Sequence, residues 1–481
     1  MIKAEPMLTS RKPFLLLIGS LLLLAILTGC ASEVSPEDDP PAATEAFTPE
    51  PTRTATLAPE LTATPTEPVG LQIEPDDLAE RVVRFAHPWV GAPAQTLEDL
   101  AREFSLTNPW QIWVEVYAHG GETALLQALQ SDRAAGEEMP DLIAAVPYLV
   151  ADVEGEDAVV DLRPYFDDPT WGFEPDSQAD IPEVYLRPFI RADRITALPL
   201  APQATVLFYN RTWGQELGFS SPPADLETFR RQICDATFAN WQNETRQNGT
   251  GGWLINLDPA VLASWYYAFE GVLPEEGLPS FNNAFGQAAF GYLWDLRSQG
   301  CSWFGLQPEP YPYFGNRLAL VYAGGLDLVP IQAQWMEALG SEDEWEVLGF
   351  PGPAGETMLV DGPGLTLIAD TPENELAAWL FAKFLLEPES QARLVRSLFS
   401  LPVRTSAMDL LTDFRTDYPH WAQGAELTAS VSALPASEEW GTAQWGLQDA
   451  VYRILVGESG DIAPILEQLD ELILELAGGT P

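Results

Sequence analysis

From residue 82 onward, apolar positions alternate between two periods, and the alternation predicts strands interleaved with helices. Val82 to Phe85 reads as a strand. Thr96 to Asn108 reads as a helix, because Leu97, Leu100, Ala101 and Phe104 fall on one face. Ile112 to Tyr117 is β-rich and gives a second strand. After Gly120-Gly121 a second helix carries Leu125, Leu126 and Leu129 on its core face. Pro140-Asp141 stops it, and Leu142 to Val146 is a short apolar strand. This strand-helix-strand-helix-strand series predicts an α/β fold with parallel strands and helices on the faces. Ligands of such sheets sit beyond the carboxyl ends of the strands, here His87-Pro88-Trp89, Ala118-His119-Gly120 and Pro147-Tyr148.

The same style continues downstream. Ile195 to Tyr209 is an apolar stretch suited to crossing between domains. Ala284 to Gly300 predicts a helix and Leu318 to Tyr322 a strand. Thr371-Pro372 opens a helix, with Thr as N-cap and Pro in the first turn. Leu376, Ala377, Leu380, Phe381 and Phe384 are its buried stripe, and Ile462 to Leu476 is a last amphipathic helix.

The first residues follow a different logic. Lys3, Arg11 and Lys12 precede an apolar run from Phe14 to Leu27, shorter than the ~20 residues of a spanning helix. Leu27-Thr28-Gly29-Cys30 resembles the bacterial lipobox, which implies a signal peptide over 1–29 and a lipid on the Cys30 thiol. Residues 30–70 are rich in Pro, Thr, Ala and Glu. They cannot bury enough apolar surface to offset ordering entropy, so they are expected to form an extended tether. The expected location is the outer face of a bacterial cytoplasmic membrane.

Composition narrows the function. Lys plus Arg number 24 against 71 Asp plus Glu, a net charge of −47. No basic footprint exists for phosphate backbones, so nucleic acid is not an expected partner. With Cys30 assigned to lipid, Cys234 and Cys301 remain. An even pair in an oxidising compartment is expected to form a disulfide, two buried thiols being the alternative. The three histidines, His87, His119 and His420, make no metal-ligand spacing, and no nucleophile elbow, Walker loop or dinucleotide fingerprint occurs. No cofactor, metal or catalytic residue is expected, although a glycosidase-like carboxylate pair stays open among so many acids.

Five ordered blocks then resemble one family. Leu198-Pro199-Leu200 with Phe208-Tyr209-Asn210-Arg211 is similar to its crossover pattern, and Pro222-Pro223 with Leu226 to Cys234 to its turn and helix. Ala224-Asp225-Leu226 departs from the usual Thr-Trp-aromatic centre. Phe281-Asn282 to Gly300, Phe314 to Ala319, and Glu373 to Leu386 with Leu401-Pro402-Val403-Arg404 complete the series. The resemblance, over roughly residues 80 to 478, is to the extracellular solute-binding proteins of family 1, which include the maltodextrin binders. It implies a two-lobed periplasmic-binding-protein type II fold with hinge crossover strands and a C-terminal helical region. The N-lobe would be 80–202 plus 358–402 and the C-lobe 203–357 plus 403–478. It also implies a monomer that captures one solute by hinge closure and hands it to an ABC permease.

A sugar site needs aromatic platforms and a rim of polar side chains. Gln203 occupies the crossover position where the maltodextrin binders carry a cleft carboxylate. His87 and Trp89 after the first strand, and Tyr148 after the third, are candidate walls. By the resemblance, Asp258 falls in a contact loop, Gly324 and Gly325 where backbone approaches ligand, and Trp445 where a stacking tryptophan sits; Trp253 and Trp265 read as core. An oligosaccharide is the expected ligand. A polyamine, iron or another non-sugar solute is the rival, a carbohydrate-active lipoprotein the different-class alternative.

Overall fold

The structure is a computed structural model that describes residues 70–243, 248–427 and 431–478. The N-terminal apolar run, Cys30 and the Pro/Thr-rich segment lie outside the described residues. Among the described residues, no helix is long and apolar enough to cross a membrane.

The predicted alternation builds the first sheet. Val82–His87 pairs in parallel with Trp113–Ala118, from Val82 opposite Trp113 to His87 opposite Ala118, and with Leu142–Ala145 on its other side. The helix between the first two strands, Ala92–Thr107, starts four residues before the expected Thr96, because Pro93 fits the first turn after Gly91. It buries Leu97, Leu100, Ala101 and Phe104. The next helix, Glu122–Ala135, ends at Gly136, whose φ of 69° is the left-handed cap that glycine adopts without strain. Two short strands complete the sheet. Gly364–Leu367 pairs antiparallel with Leu142–Ala145, and Leu198–Pro199 pairs with Gly364–Leu367.

A second sheet has eight strands. At its centre Gln203–Asn210 lies antiparallel to Ala319–Gly325 on one side and to Gly355–Asp361 on the other. Gly251–Ile255 and Ser302–Phe304 extend it in parallel. Cys234, on the helix Leu226–Gln242, is bonded to Cys301 beside the last of these strands, with Cα atoms 4.4 Å apart. The bond fastens one covering helix to the sheet edge.

Each sheet has its own apolar core. Phe85, Leu97, Trp379 and Phe381 belong to the first; Trp253, Trp265, Phe290 and Leu447 to the second. The chain passes between sheets where Leu198–Pro199 gives way to Gln203–Asn210, and returns between Asp361 and Gly364. The crossings lie side by side. The Leu200 amide donates to the Pro363 carbonyl at 3.3 Å, and the Leu401 amide to Pro202 at 2.8 Å. Gly362 has φ 135°, and a Cβ there would stand 2.7 Å from the Ala201 carbonyl oxygen, so close approach of the two crossings requires glycine. The return crossing corrects the expected boundary at 357/358. Residues 358–361 still pair in the second sheet, and an apolar run such as Met358 to Val360 does not reveal which of two cores it enters.

Candidate functional site

A cavity of about 280 Å³ lies where the crossings meet, walled from both sheets. Leu200, Pro202, Gly362 and Pro363 form its hinge side. From the first sheet come Glu122, the opening residue of its helix, and Tyr148, in the first turn of the helix Pro147–Glu154. Both follow carboxyl ends of parallel strands, where backbone geometry leaves room for a ligand. From the second side come Asp361, Trp440 and Gln444.

Two carboxylates, Glu122 and Asp361, are in the polar lining. Asp361 ends its strand directly opposite Gln203. Asp361 is exposed, yet the surrounding protein, then Asp258, Asp327 and Glu122, push its carboxyl up to about 7. Burial also raises Asp327 and Glu122. No Lys, Arg or His is among the cavity-lining residues described. Glu122 and Asp361 therefore face the cavity without a cation among the other lining residues. Tyr148 is held in its neutral form, pushed up to about 12 by burial and then by Glu122, Asp152 and Glu438.

Of the eight anticipated residues, one is in the cavity wall and others stand near it. Tyr148 lines the cavity. Gln203 stands at its edge, and its Oε1 is buried with no hydrogen-bond partner. Asp258 caps the helix Pro259–Ala268 by accepting from the Ala260 amide at 2.9 Å, and its charge still reaches Asp361. Gly324 and Gly325 end a strand beside Asp327; a Cβ on Gly325 would lie 2.1 Å from the Asp327 Oδ1. Trp445 follows Gln444 on the helix Glu438–Val456, with 68% of its surface exposed. Its position one turn beyond Gly441 is on the side of the helix that meets Tyr148.

His87 and Trp89 belong to the first core instead. His87 is fully buried, 5.4 Å from the Phe85 ring, and burial followed by His119 lowers it to about 4. Trp89 packs half-buried on the first core. Trp253 and Trp265 are buried 5.5 Å apart, edge to face, in the second core. Glu122, Asp327, Asp361, Trp440 and Gln444 had not been anticipated. Glu122 carried one signal, its place just after the Gly120-Gly121 turn; the other acids were hidden among 71. Among the described residues no group of three or more His, Cys, Asp or Glu could hold a metal ion.

Two α/β halves joined by adjacent crossings, with a polar-aromatic cavity at the joint, define a solute-binding protein of the periplasmic type. A family model for bacterial extracellular solute-binding proteins matches residues 100–423, and the chain belongs to that family. It is accordingly extracytoplasmic, a substrate-binding protein and not an enzyme. Among solved structures it is similar to the cyclic alpha-maltosyl-1,6-maltose binding protein from Arthrobacter globiformis. The TM-score is 0.69 at 16% identity, over 83% of this chain and 99% of that one. The sugar-binding protein MalE from Xanthomonas citri gives 0.67 at 20% identity, over 82% and 98%. UgpB from Mycobacterium tuberculosis, in complex with glycerophosphocholine, gives 0.63 at 16% identity, over 81% and 98%. No curated protein matches significantly.

Proposed function

We propose that the chain captures a carbohydrate between its two lobes by hinge closure and delivers it to an ABC permease, anchored by a lipid on Cys30. The lobes are the bodies around the two sheets, and residues 30–70 are the tether. The observation that carries the ligand class is the cavity wall. Aromatic surfaces of Tyr148 and Trp440, with Trp445 exposed nearby, suit the C–H faces of a sugar. Asp361, Glu122, Gln203 and Gln444 suit its hydroxyls, which donate hydrogen bonds to such acceptors. Several of the similar solved structures are of sugar-binding proteins, in keeping with this reading.

One observation favours a second reading. Carboxylates without a protein cation also suit a solute that brings its own positive charge, such as a polyamine. A thermal-shift screen separates the two. The protein is incubated with maltotriose, cellotriose, trehalose, spermidine and ferric citrate, each in excess. A ligand bound only to the folded state at 100 times its Kd stabilises it by about 2.7 kcal/mol. We expect a shift with a sugar, reduced at least tenfold in affinity by Trp445→Ala or Gln203→Ala. A response to spermidine or iron alone would replace the carbohydrate reading.

A further inference from the structure

We infer that a clasp beside the cavity, built from residues 187–192 of the first lobe and 275–276 and 439–441 of the second, holds the lobes closed, an inference that rests on the closure proposed above. Arg187 pairs with Glu275, and Arg191 Nη2 lies 3.3 Å from Glu439 Oε2. The Ala192 amide donates to Glu276 Oε1 at 3.4 Å. The first-lobe residues belong to a turn and hairpin whose Ile190 and Ile195 pack into the first core. Their partners belong to the second: Leu273 packs in its core, and Glu439 opens the helix that buries Trp440 there.

Clasp and cavity residues interleave along both segments. Pro188 and Phe189, between the two arginines, line the cavity, as does Trp440 between Glu439 and Gly441. Forming the ion pairs therefore brings opposing cavity walls together. Gly441 is the close-contact point. A Cβ there would lie 2.5 Å from the Tyr148 hydroxyl oxygen and within 2.7 Å of two ring carbons. Any side chain would push the Tyr148 ring into the ligand space or part the lobes. Burial opposes the charge on Glu439, but its own amide, Ser437 and Arg191 outweigh it and hold the carboxyl below its usual range. Both pairs are partly exposed, so each is weak and salt-screened. Weak contacts of this kind suit a closure that must reverse, because a ligand shifts such an equilibrium only by its own differential affinity.

Hydrogen exchange of the full chain without ligand tests the clasp apart from the solute. In Arg187→Glu/Arg191→Glu, amides in 186–192 and 271–276 should exchange about fivefold faster. The central strands Val82–His87 and Ala319–Gly325 should keep their wild-type rates. Adding Glu275→Arg/Glu439→Arg should restore protection, and 1 M salt should mimic the double variant in the wild type. Gly441→Leu should open the same segments with no change of charge. Unchanged exchange in the double variant, or failure of the reversed pairs to restore it, overturns the clasp, including when the double variant loosens the central strands too. Solute capture would survive that result if the variant still answered the ligand panel as the wild type does.

Discussion

Asp361 combines two roles that pull against each other. As part of the fold it is an uncomfortable residue: although its side chain is exposed on the cavity wall, the surrounding protein and the charges of Asp258, Asp327 and Glu122 push its carboxyl up to about 7. An unfolded chain would leave it near the ordinary 3.8. Between those values the native state holds a proton that the unfolded state has released, so this residue makes stability fall as pH rises toward 7. Asp361→Asn removes the effect. Its melting temperature without ligand should match the wild type near pH 4 and exceed it by a growing margin up to pH 8, measured by calorimetry. A margin independent of pH would mean that the carboxyl titrates normally. His87 illustrates what alternation can disclose at this scale. Val83, Phe85 and His87 share one face of a strand, and the first two are buried, so the third goes with them into the core. Asp361 offered no such cue, because its meaning depends on Asp258 and Asp327, more than thirty residues away in sequence.

Elements with a strong period were legible, and those whose partners are distant were not. The first three strands and two helices of the first sheet follow the apolar pattern closely. Tyr148, expected just past a strand, proves to open a helix, since Pro147 occupies the first turn. The stretch from Ile195 to Tyr209 reads as continuous yet supplies strands to three sheets, the small hairpin at Ile195 and the two main sheets, with Pro202 at the change between the latter. The disulfide followed from counting cysteines, but its mechanical place came only with the structure. It closes a loop of sequence separation 67 between a covering helix and an edge strand. Loop-closure entropy for that length gives an upper value of about 4 kcal/mol. Cys234→Ser/Cys301→Ser should therefore lower unfolding free energy in denaturant by about 2–4 kcal/mol. The loss should register in probes of the second sheet, such as protection of Gly251–Ile255, more than in Val82–His87. An equal loss in both would mean that the two halves unfold as a single unit.

At the scale of the molecule, charge decides which solutes the joint will admit. The chain carries −47, and the cavity adds Glu122 and Asp361 on its walls with Asp258 and Asp327 nearby. Among the residues lining it there is no arginine or lysine to receive a phosphate. The long-range field and the local lining thus act in the same direction, slowing the approach of an anion and penalising it once inside. A neutral sugar escapes both effects, since its hydroxyls donate to the carboxylates. Whichever neutral sugar the thermal-shift panel identifies, its 6-phosphate should bind at least about tenfold more weakly by calorimetry at pH 8, above the titration of Asp361. The field part of that penalty is screened by salt and the contact part is not. The gap should therefore narrow between 20 mM and 500 mM salt but remain open. A phosphorylated sugar that bound as tightly as its parent would show that the cavity carboxylates are protonated or turned away when the lobes close.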